Sequence, residues 1–261
     1  MKVLFLGDIV ARYGREAVKI AIPILREELA PDIVIVNGEN AAGGSGIDKK
    51  CHKEIVSAGA DLITLGDHTW RRPEVKKMLS EDDYLCIAPA NYPKTSSFRS
   101  YITSDFGGVT VGVTSLLGRT FMSSSLDCPF QTAEKLLKGE FGKAKIKIVD
   151  FHAEATSEKI AFAKYFDGQL SLVVGTHTHV QTADEEILAA GTARITDLGM
   201  CGSHSGVIGL DKEVAIRRFQ NGRPSSYKAA EGDLRVNGII ADIDSSTGMA
   251  SSIERISRKL S

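Results

Sequence analysis

The chain has 261 residues, 43% of them hydrophobic and 25% charged, with a formal net charge of −1 at pH 7. That balance is close to the globular average and supports a sizeable core without disulfide staples. It removes any global electrostatic case for nucleic-acid or membrane binding, while leaving room for a local positive pocket that takes a small phosphate ligand.

KVLFL predicts a first strand, ending at Asp8, and a helix follows near Tyr13–Leu29. The opening apolar run is too short for a signal peptide and lacks a small-residue cleavage site. No segment approaches a membrane span, so a cytoplasmic location is expected. DIVIV predicts a second strand, followed by Glu39 and Asn40 and then by a helix near Asp48–Ala58. DLITL predicts a third, followed by Asp67 and His68. The alternation points to βαβ units and a mainly parallel sheet. RSYITSDF and VTVGVTSL, separated by Gly107-Gly108, predict an antiparallel hairpin. KIKIVDF then leads to His152, a helix runs from about Thr156 to Phe166, and LSLVVG leads to His177 and His179. EILAAGTARITDLG, and VNGIIADID with GMASSIERI, predict further hairpins. Cys51, Cys86, Cys128 and Cys201 form no CxxC pair and are expected to be buried free thiols in a reducing compartment. With no repeat, low-complexity tract or linker, the expectation is a single α/β domain over residues 1–261, built from two packed sheets flanked by helices.

Five predicted buried strands thus end in groups able to ligate a metal or move a proton. In open α/β sheets ligands bind at the carboxyl ends of the strands, so these groups should converge on one crevice. Singly, each has a plainer explanation. Asp8 suits a turn or helix cap, NGEN and AAGGSG suit tight turns, and GDHTW suits a turn with a half-buried histidine. His177 and His179, at i and i+2 of an extended segment, would point the same way, but such a pair alone is more often structural. Together the eight predict a metal centre. Carboxylate, amide and imidazole without thiolate exclude a structural cysteine-zinc site and suit Mn, Fe or Zn. Eight candidates are too many for one ion and fit two ions sharing a carboxylate. Competing signatures fail: GDIVARYG is not GxGxxG, AAGGSGID lacks the Lys-Ser/Thr of a P-loop, and HExxH and GxSxG are absent. His152-Ala153-Glu154 has no PCxxC to complete a zinc-deaminase signature.

In order and spacing, GDIV, VNGENAAGG, TLGDHTW, DFHAEATSEK, VGTHTHVQTAD and TDLGM resemble the bacterial YmdB-like metallophosphoesterases, with SLLGRTFM and LDCPF adding to the likeness. The resemblance implies a four-layer α/β/β/α sandwich of two mixed sheets and a metal-dependent phosphodiesterase. Its substrates would be 2′,3′-cyclic nucleotides, opened at the 2′ bond to give 3′-nucleotides. It further implies one metal held by Asp8, Glu39, Asn40 and His179 and a second by Glu39, Asp67, His152 and His177, with Glu39 bridging. The ions would be Fe or Mn, with Zn as an alternative. His68 takes the family's proton-donor role. This chain has GDH where the family usually has GNH, so Asp67 adds a negative charge. Ser115 stands where the family often has Asn. Arg119, in LLGRTF, is a candidate phosphate contact or, equally, a solvated loop arginine. Two other functions remain open: a nucleotidase or phosphomonoesterase on the same site, and a regulatory nucleotide- or metal-binding protein with little turnover. The expected partner is a small nucleotide or phosphate ester, with no membrane or stable nucleic-acid contact; a homo-oligomer is compatible with the sequence.

Overall fold

Apolar runs without polar alternation belong to strands covered on both faces. The computed structural model describes residues 1–93, 98–122, 125–222 and 226–260. Its first six strands are β1 (Lys2–Ile9), β2 (Ile33–Asn37), β3 (Leu62–Thr64), β4 (Cys86–Ile87), β5 (Tyr101–Phe106) and β6 (Val109–Leu117). They are followed by β7 (Ile146–His152), β8 (Leu172–Thr176), β9 (Glu186–Ile187), β10 (Ala193–Ile195), β11 (Met200–Ser203), β12 (Leu234–Ile243) and β13 (Ala250–Lys259). The helices are α1 (Ala11–Leu29), α2 (Lys49–Ser57), α3 (Val75–Met78), α4 (Pro129–Lys138), α5 (Thr156–Tyr165) and α6 (Lys212–Asn221).

Two mixed sheets result, one ordered β13-β12-β11-β1-β2-β3-β4 and the other β5-β6-β7-β8-β10-β9. The side-chain period of two sorts the apolar strands into layers. Leu4, Leu6, Val34 and Val36 pack outward beneath Ala17, Val18, Ala21, Ile22 and Leu25 of α1 and Ile55 of α2. The alternate residues Val3, Phe5, Ile33 and Ile35 pack inward against Val111, Val113, Ile146, Ile148, Leu172 and Val174 of the second sheet. On that sheet's far face, Val149, Phe151 and Val173 lie beneath Ala133 of α4 and Phe162 of α5. The order is therefore α/β/β/α, as the resemblance implied. Pro23 sits inside α1 on its exposed face, where water can satisfy the carbonyl it leaves unpaired.

The predicted hairpins form, with β5 on β6, β9 on β10 and β12 on β13 antiparallel. Three helices go beyond the sequence expectation: the single-turn α3, α4 and α6. α4 opens with Pro129 in its first turn, and α6 is capped by Asp211, which accepts from the Glu213 and Val214 amides, and closed by left-handed Gly222. Strand β11 was also missed; MCGS is short, and its place is set by parallel pairing with β1, Asp8 opposite Met200. All four cysteines are free, but Cys128 is only partly buried, at the N-cap of α4, so the expectation of four buried thiols holds for three. Among the described residues no helix is long and apolar enough to cross a membrane.

Candidate active site

Parallel pairing of β1 with β2, β2 with β3, and β7 with β8 aligns the carboxyl ends within each sheet. The sandwich brings both sets of ends to one cavity of about 530 Å³. Glu39, Asn40, His68, His177 and His179 line it, and Asp8, Asp67 and His152 lie against them; Asp8, Glu39, Asn40 and His152 are buried, and Asp67, His68, His177 and His179 are partly exposed. Asp67 Oδ1 lies 3.1 Å from His152 Nε2 and 3.5 Å from His177 Nδ1. The two ring nitrogens are 3.0 Å apart. Glu39 Oε2 is 3.5 Å from His152 Nε2, and Asp8 Oδ1 is 3.8 Å from His179 Nε2. Three overlapping groups could hold a cation: Asp67, His152 and His177; Asp8, Glu39 and His152; and Glu39, Asp67 and His68.

Hydrogen bonds on the far side of three histidines fix which nitrogen faces inward. The Thr176 hydroxyl donates to Asp150 Oδ1 at 2.6 Å, so its oxygen accepts from His152 Nδ1 at 2.8 Å, and Nε2 is the nitrogen that faces the cluster. Asp150, buried, also accepts from Asn37 Nδ2 at 2.9 Å and Thr64 Oγ1 at 2.5 Å. His177 Nε2 lies 3.2 Å from Glu154 Oε2, an acceptor, which leaves Nδ1 facing inward. His179 Nδ1 donates to the Ile208 carbonyl at 3.1 Å, which leaves Nε2. Outer partners that lock the tautomer in this way are the usual support of imidazole metal ligands.

The electrostatics demand positive charge. Burial pushes the Asp8 carboxyl above its ordinary pKa, and the nearby His179 and His152 offset this only in part. Its Oδ2 accepts from the His177 amide at 3.2 Å, but its buried Oδ1 has no hydrogen-bond partner among the described residues. Burial also acts against ionised Glu39, yet His152 and a hydrogen bond to His68 more than compensate and hold it below the usual range. Asp67 is likewise held well below that range, because its hydrogen bonds to His152 and His177 outweigh burial. His152 is pushed up to about 10: burial opposes its charge, but Glu39, the hydrogen bond to Asp67, and Asp8 override it. The field that protonates His152 is the field a metal cation would meet.

His68 is differently placed. Its Nδ1 lies 2.9 Å from Asn40 Oδ1 and 3.1 Å from Glu39 Oε1, both acceptors, so Nδ1 carries a proton. The hydrogen bond to Glu39 raises its pKa despite burial. Nε2 has no partner among the described residues, and the side chain lines the cavity.

All eight predicted groups are thus brought together, with differences of detail. Asn40 presents its amide nitrogen to Glu39 Oε1 at 2.8 Å and to His179 Nε2 at 3.2 Å, while its oxygen faces His68. In this orientation it aligns its neighbours rather than offering a ligand oxygen. His177 and His179 do not sit on an extended segment: β8 ends at Thr176, and their φ values of 102° and 66° are left-handed. They reach the cluster through a strained turn, not through strand alternation. Ser115 is buried in β6, its hydroxyl donating to the Leu65 carbonyl at 2.7 Å. Arg119 is exposed after β6, its amide donating to Glu158 at 3.0 Å, and is not among the residues lining the cavity. Sequence reasoning missed Asp150, Glu154 and Thr176, although DFHAE sets two of them two residues either side of His152. It also missed Ile208, Arg218 and Tyr227, which line the cavity and carry no motif.

The YmdB-like protein family matches residues 4–256. Over 98% of its length the chain is 43% identical to the 2′,3′-cyclic-nucleotide 2′-phosphodiesterase of Bacillus subtilis (strain 168), covering 96% of that protein. Among solved structures, a hypothetical protein from Thermus thermophilus superposes with a TM-score of 0.93 at 39% identity, with 99% of each chain covered. A novel phosphatase from Mycoplasma pneumoniae superposes with a TM-score of 0.92 at 32% identity, over 99% of this chain and 93% of that one.

Proposed function

The chain belongs to the YmdB-like protein family, and from that premise we propose that it is a phosphodiesterase using two divalent metal ions to hydrolyse 2′,3′-cyclic nucleotides to 3′-nucleotides. The observation that carries the metal reading is Asp8 Oδ1, a fully buried carboxylate oxygen with no hydrogen-bond partner among the described residues. Such an atom is costly to bury unless a positive charge meets it. Gly66 supports the fit: a Cβ there would sit 2.3 Å from Glu39 Oε2 and 2.5 Å from His152 Nε2. The chain keeps that space clear between two ligand atoms.

Asp8, Glu39 and His179, with Asn40 if its amide turns over, would hold one ion; Glu39, Asp67, His152 and His177 would hold the other. Oxygen and imidazole donors suit Mn, Fe or Zn, and the family resemblance puts Fe or Mn first. What such a pair supplies is a water of lowered pKa and positive charge against the phosphate oxygens. The protein's own share is to exclude other geometries. Thr176, Glu154 and the Ile208 carbonyl fix the three rings before substrate arrives. His68, held at Nδ1 by Glu39 and Asn40, keeps Nε2 for the substrate, where as an imidazolium it protonates the departing ribose 2′ oxygen. Asp67, a carboxylate where the family resemblance leads one to expect an amide, adds a third negative charge, which would strengthen cation binding at the second position. The four free cysteines fit a reducing cytoplasm.

The test is product identity. Metal-loaded protein should convert 2′,3′-cyclic AMP to 3′-AMP and leave simple phosphomonoesters nearly untouched. Efficient release of inorganic phosphate from nucleotides would instead make it a nucleotidase, and tight nucleotide binding without product would make it a sensor.

A further inference from the structure

Beyond the cluster already described, the cavity is lined by Val10, Ile208, Leu210 and Tyr227, contributed by the end of β1 and by the segments flanking α6, together with Arg218 of α6, Gly44 and Thr178. We propose that Ile208 and Tyr227 form a stacking platform for the base of the nucleotide substrate, and so decide that this site takes nucleosides rather than small phosphodiesters. The proposal rests on the nucleotide reading above and names the residues that would enforce it.

Three observations carry it. Ile208 has φ of 45°, a region in which a β-branched residue is a genuine outlier, and strain of that kind collects where a site must be shaped. Its carbonyl receives the His179 Nδ1 proton at 3.1 Å while its side chain stays 52% exposed, so an apolar group is held open one hydrogen bond from a ligand histidine. Tyr227 is 39% exposed yet fixed in place. Its ring lies directly on Gly44, where a Cβ would come within 2.4 Å of Cζ, and its hydroxyl reaches the Gly209 carbonyl at 3.4 Å. An aromatic ring packed on a glycine at one place and bonded at another, but left open to the cavity, is preorganised to stack. Stacking needs no hydrogen bonds to base edges, and every base has a π-face, so the platform should accept all four bases with only modest preference.

The experiment compares wild type with Tyr227→Ala, Tyr227→Phe and Ile208→Gly, the last keeping the left-handed backbone without strain. Each metal-loaded protein is assayed on 2′,3′-cyclic AMP and on methyl riboside 2′,3′-cyclic phosphate, which lacks a base. Binding of 3′-AMP is measured separately by calorimetry. Tyr227→Ala should raise KM for the nucleotide and weaken 3′-AMP binding by about 5- to 150-fold, the range expected for one base–aromatic stack. Its kcat, and its KM for the base-free substrate, should stay near wild type. Tyr227→Phe should match wild type, and Ile208→Gly should show a smaller nucleotide-specific loss. Equal losses on both substrates, unchanged nucleotide KM in Tyr227→Ala, or a Phe variant as poor as Ala would each overturn the platform. Wild type that turns over neither cyclic phosphate would instead overturn the function, while the 3′-AMP titration still decides the stacking role.

Discussion

At the residue scale the histidines differ in which ring nitrogen is already occupied, and the proposed function assigns ligation to three of them and proton transfer to the fourth. His152, His177 and His179 have their outward nitrogens occupied, whereas His68 has its Nδ1 occupied by Glu39 and Asn40 and its Nε2 left for the cavity. His68→Ala should therefore retain metal content close to wild type and lower turnover of 2′,3′-cyclic AMP by about 10²–10⁴-fold. The loss should be smaller for a nitrophenyl ester, whose leaving group needs less protonation. Loss of one metal equivalent in this variant would reassign His68 as a ligand. Gly66→Ala tests the space between ligands. Gly66 is not among the left-handed glycines, so alanine adds no left-handed backbone strain, and the atoms nearest its methyl belong to Glu39 and His152. Measured metal occupancy should fall sharply, with the thermal midpoint of the metal-free protein little changed. These eight side chains were legible in the sequence because apolar runs stop abruptly at them. Glu154, Thr176 and Asp150 were not, because an outer partner differs from any other polar residue only by whom it touches.

At the element scale, the turn after β8 that carries two left-handed histidines depends on a buried ion pair. Lys159 Nζ on α5 lies 2.6 Å from Asp197 Oδ2, with both side chains nearly inaccessible. The same carboxylate accepts from the Thr178 amide at 3.2 Å and the Gly199 amide at 2.8 Å. Lys159→Ala would strand a buried negative charge beneath the turn. Chemical denaturation should show a loss of about 3–5 kcal/mol, and metal occupancy should fall with it. Next to this turn, Asp184 accepts hydrogen bonds from Thr182, Thr196 and Arg194, which outweigh burial and lower its pKa to about 2 from 3.8. A carboxyl depressed in the folded state stabilises it above the unfolded pKa, and that contribution fades as pH falls through the folded value. Asp184→Asn should hence be less stable than wild type at neutral pH, with the gap closing between about pH 4 and pH 2. A gap independent of pH would show that its charge is not what matters. Strands and the first helices were readable from periodicity; the histidine turn was misread as extended, because backbone handedness set by Asp197, nearly twenty residues away in sequence, leaves no local signature.

At the scale of the whole molecule, two sheets built from distant stretches of chain meet so that β1, β2 and β3 face β7 and β8 at one crevice. That convergence could be anticipated because strand-end chemistry and parallel topology are both local patterns. The apolar part of the cavity could not, since Ile208 and Tyr227 lie in loops around α6, a mostly polar helix with one buried residue. Everything proposed for this crevice requires it to be a two-metal phosphodiesterase centre. The direct measurement is stepwise addition of Mn²⁺ to chelator-stripped protein, following bound metal and 3′-AMP formation from 2′,3′-cyclic AMP together. Turnover should be negligible without metal, rise with occupancy and level off at two ions per chain. Undiminished turnover by the stripped protein, or no 3′-AMP with both positions filled, would contradict it.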